Sequence, residues 1–249
     1  MKIPRIGFLI IGDEILSGRT GEKNLPVLAE LLDAKGLQIR EARVAGDSPP
    51  VIAAALNEMR AAHEYIFTSG GIGPTHDDVT AEGIALAFGV AVEENAEAAA
   101  ILADFYARRD LEFTAPRRRM ARAPAGAAIL KSDFPGAPGF IVGNVFVCAG
   151  VPAIFRLMAA AAVAGLPDFP RRSALTLRAD GAESEMADAL AAIQRRHAAL
   201  KIGSYPREEN GAYYCHFVFS GADAREIAAA AGEMSDFLAE QGIPCREIS

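Results

Sequence analysis

The chain has 249 residues, 51% of them hydrophobic, and a formal net charge of -7. That length is enough for one large domain or two modest ones, each with its own core, and the acidic balance argues against a general nucleic-acid binder, which carries a basic face. Cys148, Cys215 and Cys245 are odd in number and far apart; they fit neither a zinc spacing nor a disulfide framework and are expected to be buried free thiols in a reducing cytoplasm.

In chain order, Ile6 to Ile11 reads as a strand, Asn24 to Lys35 as a helix and Gln38 to Val44 as a strand. Ser48-Pro49 is a helix-start signal, so Pro49 to His63 reads as a helix. A strand at Tyr65 to Thr68, a glycine-rich turn and a helix from Ala81 to Gly89 follow. Glu93 to Arg109 reads as another helix, broken at Thr114-Ala115-Pro116 before an arginine-rich run. The stretch Ile129 to Phe140 is rich in proline and glycine, Ile141 to Cys148 reads as a strand, and Gly150-Val151-Pro152 opens a helix to about Ala164. Apolar runs without polar alternation suit parallel strands covered on both faces. Helices between them supply crossovers, so residues 1–166 are expected to form a three-layer α/β/α doubly wound sheet.

The prolines and charges of Gly165 to Arg172 mark a linker. Beyond it, Ser173 to Ala179, Ala199 to Tyr205, Tyr213 to Phe219 and Ile243 to Ile248 read as strands, with helices at Glu183 to His197 and Ala222 to Gln241. That βαββαβ order predicts a ferredoxin-like α+β domain over residues 172–249. Phe8 to Ile11 is too short for an export signal, and Phe155 to Ala164 is about half a membrane span. A soluble, cytoplasmic protein without a membrane partner is expected.

The densest chemistry lies in Ser69-Gly70-Gly71-Ile72-Gly73-Pro74-Thr75-His76-Asp77-Asp78-Val79-Thr80. Its glycines allow the backbone close to a ligand, and the N–H groups of such a turn can point at an anion. Asp77 and Asp78 beside an anion call for a cation or a proton-transfer role, which together suggest phosphate-ester or pyrophosphate chemistry with a divalent metal. The turn lacks the Gly-Lys-Ser/Thr ending of a P-loop and the spacing of a dinucleotide fingerprint. The plainer alternative is a tight strand-to-helix turn with Asp78 or Thr80 as N-cap.

Two more polar clusters fall after strands, at the sheet edge where open α/β folds bind ligands. In Gly12-Asp13-Glu14-Ile15-Leu16-Ser17-Gly18, Asp13 or Glu14 suits a metal or a ribose hydroxyl and Ser17 a phosphate; by itself the segment is preferably an ordinary turn. Asp47 is a candidate metal ligand or a loop polar residue before the Ser48-Pro49 cap. Among Arg117, Arg118, Arg119 and Arg122, one or two could clamp a phosphate, with Arg118 assigned to the expected site; a solvated charged face is the alternative. His76 reads as a base, a ligand or an exposed loop residue, whereas His63, His197 and His216 lack evident partners. No nucleophile elbow or Cys-His pair is present, so covalent catalysis is not expected.

In this order the segments Gly12 to Gly18, Asn24, Gly46-Asp47, Ser69 to Thr80, Pro124-x-Gly126-Ala127, Ala137-Pro138-Gly139-Phe140 and Gly150-Val151-Pro152 resemble the molybdopterin-binding domain family. The resemblance runs from residue 5 to about 160 and is strongest to the N-terminal domain of the competence/damage-inducible protein A group. It implies a three-layer α/β fold, dimers or trimers, and ligand contacts extending to Asn24, Pro138, Gly139, Gly150 and Pro152. Ile202-Gly203-Ser204-Tyr205-Pro206 and its surroundings look like the region that follows this domain in eukaryotic-type FAD synthases. The chain ends before any adenylyltransferase or nicotinamide-nucleotide amidase domain, so neither FAD synthesis nor deamidation is expected. Thr20-Gly21-Glu22-Lys23 departs from the family, whose members more often place a second hydroxyl or an aspartate before the asparagine.

The resemblance implies one of two activities: metal-dependent hydrolysis of nucleotide pyrophosphates such as ADP-ribose or FAD, or molybdopterin binding and adenylylation. The leading expectation is a pyrophosphatase using magnesium, manganese or cobalt. Gly70, Gly71, Gly73 and Thr75 would hold phosphates, Asp77 and Asp78 would carry catalysis, and Asp47, Asp77 and Asp78 would bind metal, with Asp13 or Glu14 as further ligands. The alternatives are a molybdopterin or pterin-nucleotide binder without hydrolysis, and a non-catalytic regulatory or interaction module.

Overall fold

The computed structural model describes residues 2–134 and 136–248. Met1 and Ser249, the outer limits of the two expected domains, and Pro135, inside the expected Pro/Gly-rich stretch, lie outside the described residues. The chain divides into two compact units between Phe169 and Pro170.

The first unit contains, in order, β1 (Ile6–Ile11), α1 (Asp13–Leu16), α2 (Asn24–Asp33), β2 (Ile39–Ala45), α3 (Pro49–Ala62), β3 (Tyr65–Ser69), α4 (Thr80–Phe88), β4 (Val92–Glu94), α5 (Ala96–Ala107), α6 (Ala115–Arg119), β5 (Arg122–Pro124), β6 (Ala128–Leu130), β7 (Gly139–Val142), β8 (Val145–Cys148) and α7 (Pro152–Ala164). Its main sheet runs β2-β1-β3-β8-β7-β6. β2, β1, β3 and β8 are parallel, while β7 and β6 are added antiparallel. All six residues of β1 are buried. Phe8 and Ile10 join the core with Leu28, Leu32, Phe155 and Met158 on one face of the sheet; Leu9 and Ile11 join Ile52, Leu56, Met59 and Ile84 on the other. The alternation of strand side chains thus feeds two helical layers, α2 with α7 and α3 with α4.

Several expectations for this unit and for the histidines are corrected. Glu93 to Arg109 is not one helix: Val92–Glu94 pairs with β5, and Asn95 then starts α5 by accepting a hydrogen bond from Ala98 N at 3.1 Å. Ile141 to Cys148 is not one strand but the two arms of a hairpin, reversed at Gly143, whose φ of 56° suits the turn. His63 and His197 do have partners: His63 Nδ1 lies 2.9 Å from Met59 O, and His197 Nε2 lies 3.1 Å from Glu233 Oε1.

The second unit contains β9 (Ser173–Asp180), α8 (Glu183–Arg196), β10 (Lys201–Glu209), β11 (Ala212–Gly221), α9 (Ala224–Glu240) and β12 (Cys245–Ile248). The strands form an antiparallel sheet ordered β10-β11-β9-β12, which is the ferredoxin-like arrangement read from the sequence. Leu177, Phe217, Phe219, Ile227, Met234 and Leu238 fill its core beneath the two helices. Cys148 and Cys215 are buried, and burial pushes both thiols up; Cys245 is only partly buried, contrary to expectation, because β12 is an edge strand. Among the described residues, no helix is long and apolar enough to cross a membrane.

Candidate functional site

The parallel strands β1, β2 and β3 end at one edge, at Ile11, Ala45 and Ser69. The loops after them carry the polar segments singled out in the sequence. Each loop is tied to its neighbour by a specific bond, so the edge is built before any ligand arrives.

The turn after β3 is closed by Thr80, which is fully buried. Its hydroxyl donates to Gly70 O at 2.9 Å and its N–H to Gly71 O at 3.0 Å. Gly70 and Gly71 adopt φ values of 104° and 66°, which side chains disfavour. A Cβ on Gly70 would collide with Ile11 O, and one on Gly71 with the Thr80 hydroxyl. These two glycines are therefore dictated by both backbone and space. The expected N-cap role fails: Val79 holds the N-cap position of α4 and no side chain caps it, since Thr80 is already helical and bonds backward. Asp78 instead folds the loop tip, its Oδ2 accepting from Thr75 N at 2.8 Å and Thr75 Oγ1 at 2.5 Å. The Thr75 hydroxyl is thereby directed at Asp78. Pro74, Thr75, His76 and Asp77 are exposed.

After β1 and β2, Asp13 and Asp47 brace each other. Asp13 N donates to Asp47 Oδ2 at 2.8 Å, and Asp47 N to Asp13 Oδ1 at 3.3 Å. Burial raises the Asp47 carboxyl, and the charges of Asp13, Glu14 and Asp77 add to the rise. The expected metal set Asp47, Asp77 and Asp78 is not gathered, however: among the described residues no three His, Cys, Asp or Glu side chains stand together to hold an ion. The reason is local, since Asp78 folds the loop tip and Asp47 joins two strand ends. The donor set still fits a magnesium-type ion, which takes one or two carboxylates and completes its shell with phosphate oxygens and water.

A second set of bonds links β3, α2 and α7. Asn24, 5% exposed, donates from Nδ2 to Ser69 Oγ at 2.7 Å and to Gly150 O at 2.8 Å. Its Oδ1 is buried without a hydrogen-bond partner. Asn24, Ser69, Gly150 and Pro152 line a cavity of about 160 Å³ together with Glu14, Thr20, Gly21, Glu22 and Lys23. Glu22, which the sequence reading left without a role, accepts from Asn24 N and Leu25 N and so satisfies the free N–H groups at the start of α2. Ser17 is exposed, and its hydroxyl donates to Glu14 O and accepts from Arg19 Nε at 3.0 Å. Gly18 turns the chain there with φ 71°.

On the far side of the glycine turn, Gly71, Gly73, Asp78, Glu82, Arg119, Arg122 and Pro138 border a crevice of about 10 Å³. Gly139 is a packing glycine of β7, where a Cβ would meet Val147 O. Arg118 does not reach this crevice: it pairs with Glu94 at 2.7 Å and lies over the Phe113 ring. Consecutive helical residues point about 100° apart, so choosing among adjacent arginines needs the helix orientation as well as the sequence.

Residues 7–169 match the family model "Probable molybdopterin binding domain", and residues 173–246 match "FAD synthase, middle domain". A CinA-like protein of Geobacter sulfurreducens is 33% identical over 209 residues, covering 80% of this chain and 50% of that protein. A CinA-like protein of Syntrophotalea carbinolica is 35% identical over 151 residues, covering 59% of this chain and 37% of its own length. A protein of Archaeoglobus fulgidus is 29% identical over 233 residues, covering 93% of this chain and 97% of its own length. The chain thus spans half or less of these two CinA-like relatives and nearly all of the archaeal one. Among solved structures, the protein CinA of unknown function from Thermoplasma acidophilum superposes with a TM-score of 0.55 at 30% identity, covering 61% of this chain and 92% of that one.

Proposed function

The chain belongs to the molybdopterin-binding domain family, and from that premise we propose that its first unit hydrolyses the pyrophosphate bond of a nucleotide of the ADP-ribose or FAD class with a divalent ion. The observation that carries this reading is the obligate Gly70-Gly71 turn, locked by Thr80, at the same strand edge as the braced pair Asp13 and Asp47. Backbone N–H groups of Gly71 and Gly73 would receive phosphate oxygens. Asp13 and Asp47, each bonded to backbone through one oxygen, would offer the other to magnesium, manganese or cobalt, with Asp77 at the rim. When bound, the ion would offset the phosphate charge and activate water. Attack of water on phosphorus would break the P–O bond to the bridging oxygen, giving AMP and the other monophosphate, with the proton of the water lost to solvent. Dimers or trimers, as the resemblance implies, belong to the same proposal. The test is release of AMP from ADP-ribose, FAD and dinucleotides with and without each metal; Asp47→Asn should remove turnover while leaving the protein folded.

A second reading draws on the 160 Å³ cavity, where the buried Asn24 Oδ1 lacks a donor. A pterin or nucleobase amine would satisfy it. Tight binding of a pterin nucleotide without turnover would favour molybdopterin-type binding over hydrolysis.

A further inference from the structure

Four arginines lie at or just beyond α6, and three of them are committed. Arg117 donates to Glu112 O and lies 4.3 Å above the Tyr106 ring. Arg118 pairs with Glu94, and Arg122 with Glu82 at 2.8 Å. Arg119 differs: it makes no ion pair among the described residues, and its Nε is buried without a hydrogen-bond partner. It borders the crevice whose other wall is Gly71 and Gly73, the inner edge of the turn.

We infer that Arg119 is the substrate-binding guanidinium of this site and that it grips one oxygen of a bound pyrophosphate from the side opposite the glycine turn. Three observations converge on it. A guanidinium carries five donors and a permanent charge, and one of these donors is buried here with nothing to receive it. The crevice, about 10 Å³, has room for a single water-sized atom, so it admits one phosphoryl oxygen and leaves the rest of the phosphate against the loop. The crevice also borders Asp78 and Glu82. Glu82 is already paired with Arg122 and Asp78 Oδ2 is held by the Thr75 N–H and hydroxyl, so Arg119 is the cation at this crevice that has no carboxylate partner among the described residues. The inference rests on the pyrophosphatase reading only for the identity of that anion.

The test is calorimetric binding of inorganic pyrophosphate to the full chain, for wild type, Arg119→Met, Arg119→Lys and Arg118→Met, with thermal melts to establish that each variant folds. Arg119→Met should weaken binding at least tenfold. Arg119→Lys, which keeps the charge and loses the fork, should recover at least a third of the affinity, and Arg118→Met should stay within twofold of wild type. Wild-type affinity in folded Arg119→Met would overturn the inference and leave a water as the partner of Nε. So would an equal loss in Arg118→Met, or no pyrophosphate binding by wild type. If wild type binds pyrophosphate through Arg119 yet hydrolyses no nucleotide, the pyrophosphatase reading falls while the anion site stands. If it hydrolyses nucleotides and Arg119→Met does so unchanged, the reverse holds.

Discussion

The strand edge of the first unit and the sheet of the second place their polar groups in opposite ways. Among the described residues, every buried polar or charged residue (Asn24, His63, Thr68, Ser69 and Thr80) lies in the first unit, and all but His63 lie on β3 or on elements tied to its carboxyl end. The second unit buries Leu177, Phe217, Phe219 and Met234 in an apolar core and leaves its charges outside. Buried polar groups are costly unless paired. A fold keeps them where geometry must be specified, so this difference separates a region that fixes the geometry of buried polar side chains from one that, apart from the buried Ser204 Oγ, is built for packing.

Substitutions can break that contrast, and the largest effect on stability is expected in the second unit. Phe217→Ala removes a fully buried ring from the centre of the core and should cost roughly 3–5 kcal/mol in denaturant unfolding, independent of pyrophosphate or metal. Gly70→Ala comes next. Its φ of 104° and the carbonyl of Ile11 oppose a side chain, for a cost of about 2–4 kcal/mol and a drop in AMP release on the order of 100-fold as the turn shifts. Gly211→Ala is the matched control in the second unit, with φ 80° but open space around it; it should cost about 1 kcal/mol and leave turnover unchanged. Equal effects at the two glycines would dissolve the contrast.

The smallest effect sharpens it. The Asp47 carboxyl is raised in the folded protein by burial and by its acidic neighbours. The folded state therefore binds this proton more tightly than the unfolded state, and stability is lost as pH rises from the unfolded value through the folded one. Asp47→Asn keeps an oxygen to accept from Asp13 N and removes the repulsion. It should melt slightly above wild type at pH 7, with the difference vanishing toward pH 3, while turnover disappears. Magnesium should then raise the wild-type melting temperature and leave the variant unmoved. A variant less stable than wild type at pH 7 would mean that the carboxylate is structural.

Much of this was legible in the chain. Unbroken apolar runs such as Ile6 to Ile11 announced strands covered on both faces, and the glycine-rich segment after them announced a tight strand-to-helix turn. The βαββαβ order of the second unit was equally readable, because each helix and strand there has its own periodicity. What was not legible depended on direction. Glu93 and Glu94 are good helix residues drawn into a strand by pairing with Ala123 and Arg122, which no local signal reports. Asp78 read as a metal ligand because its type suits that role, whereas its position three residues after Thr75 lets it fold the loop. Arg118 and Arg119 are indistinguishable as letters. Only the orientation of a five-residue helix sends one to Glu94 and the other to the crevice.

The central claim is that the turn and the carboxylate pair make a metal-dependent pyrophosphatase. Its most direct test is AMP release from ADP-ribose by the purified, folded chain, measured with manganese and then with excess chelator. Release with the metal that stops with the chelator, and that is absent in Asp47→Asn, is the expected result. No release from ADP-ribose, FAD or a dinucleotide with magnesium, manganese or cobalt would contradict the claim and turn the reading to pterin-nucleotide binding in the 160 Å³ cavity beside Asn24.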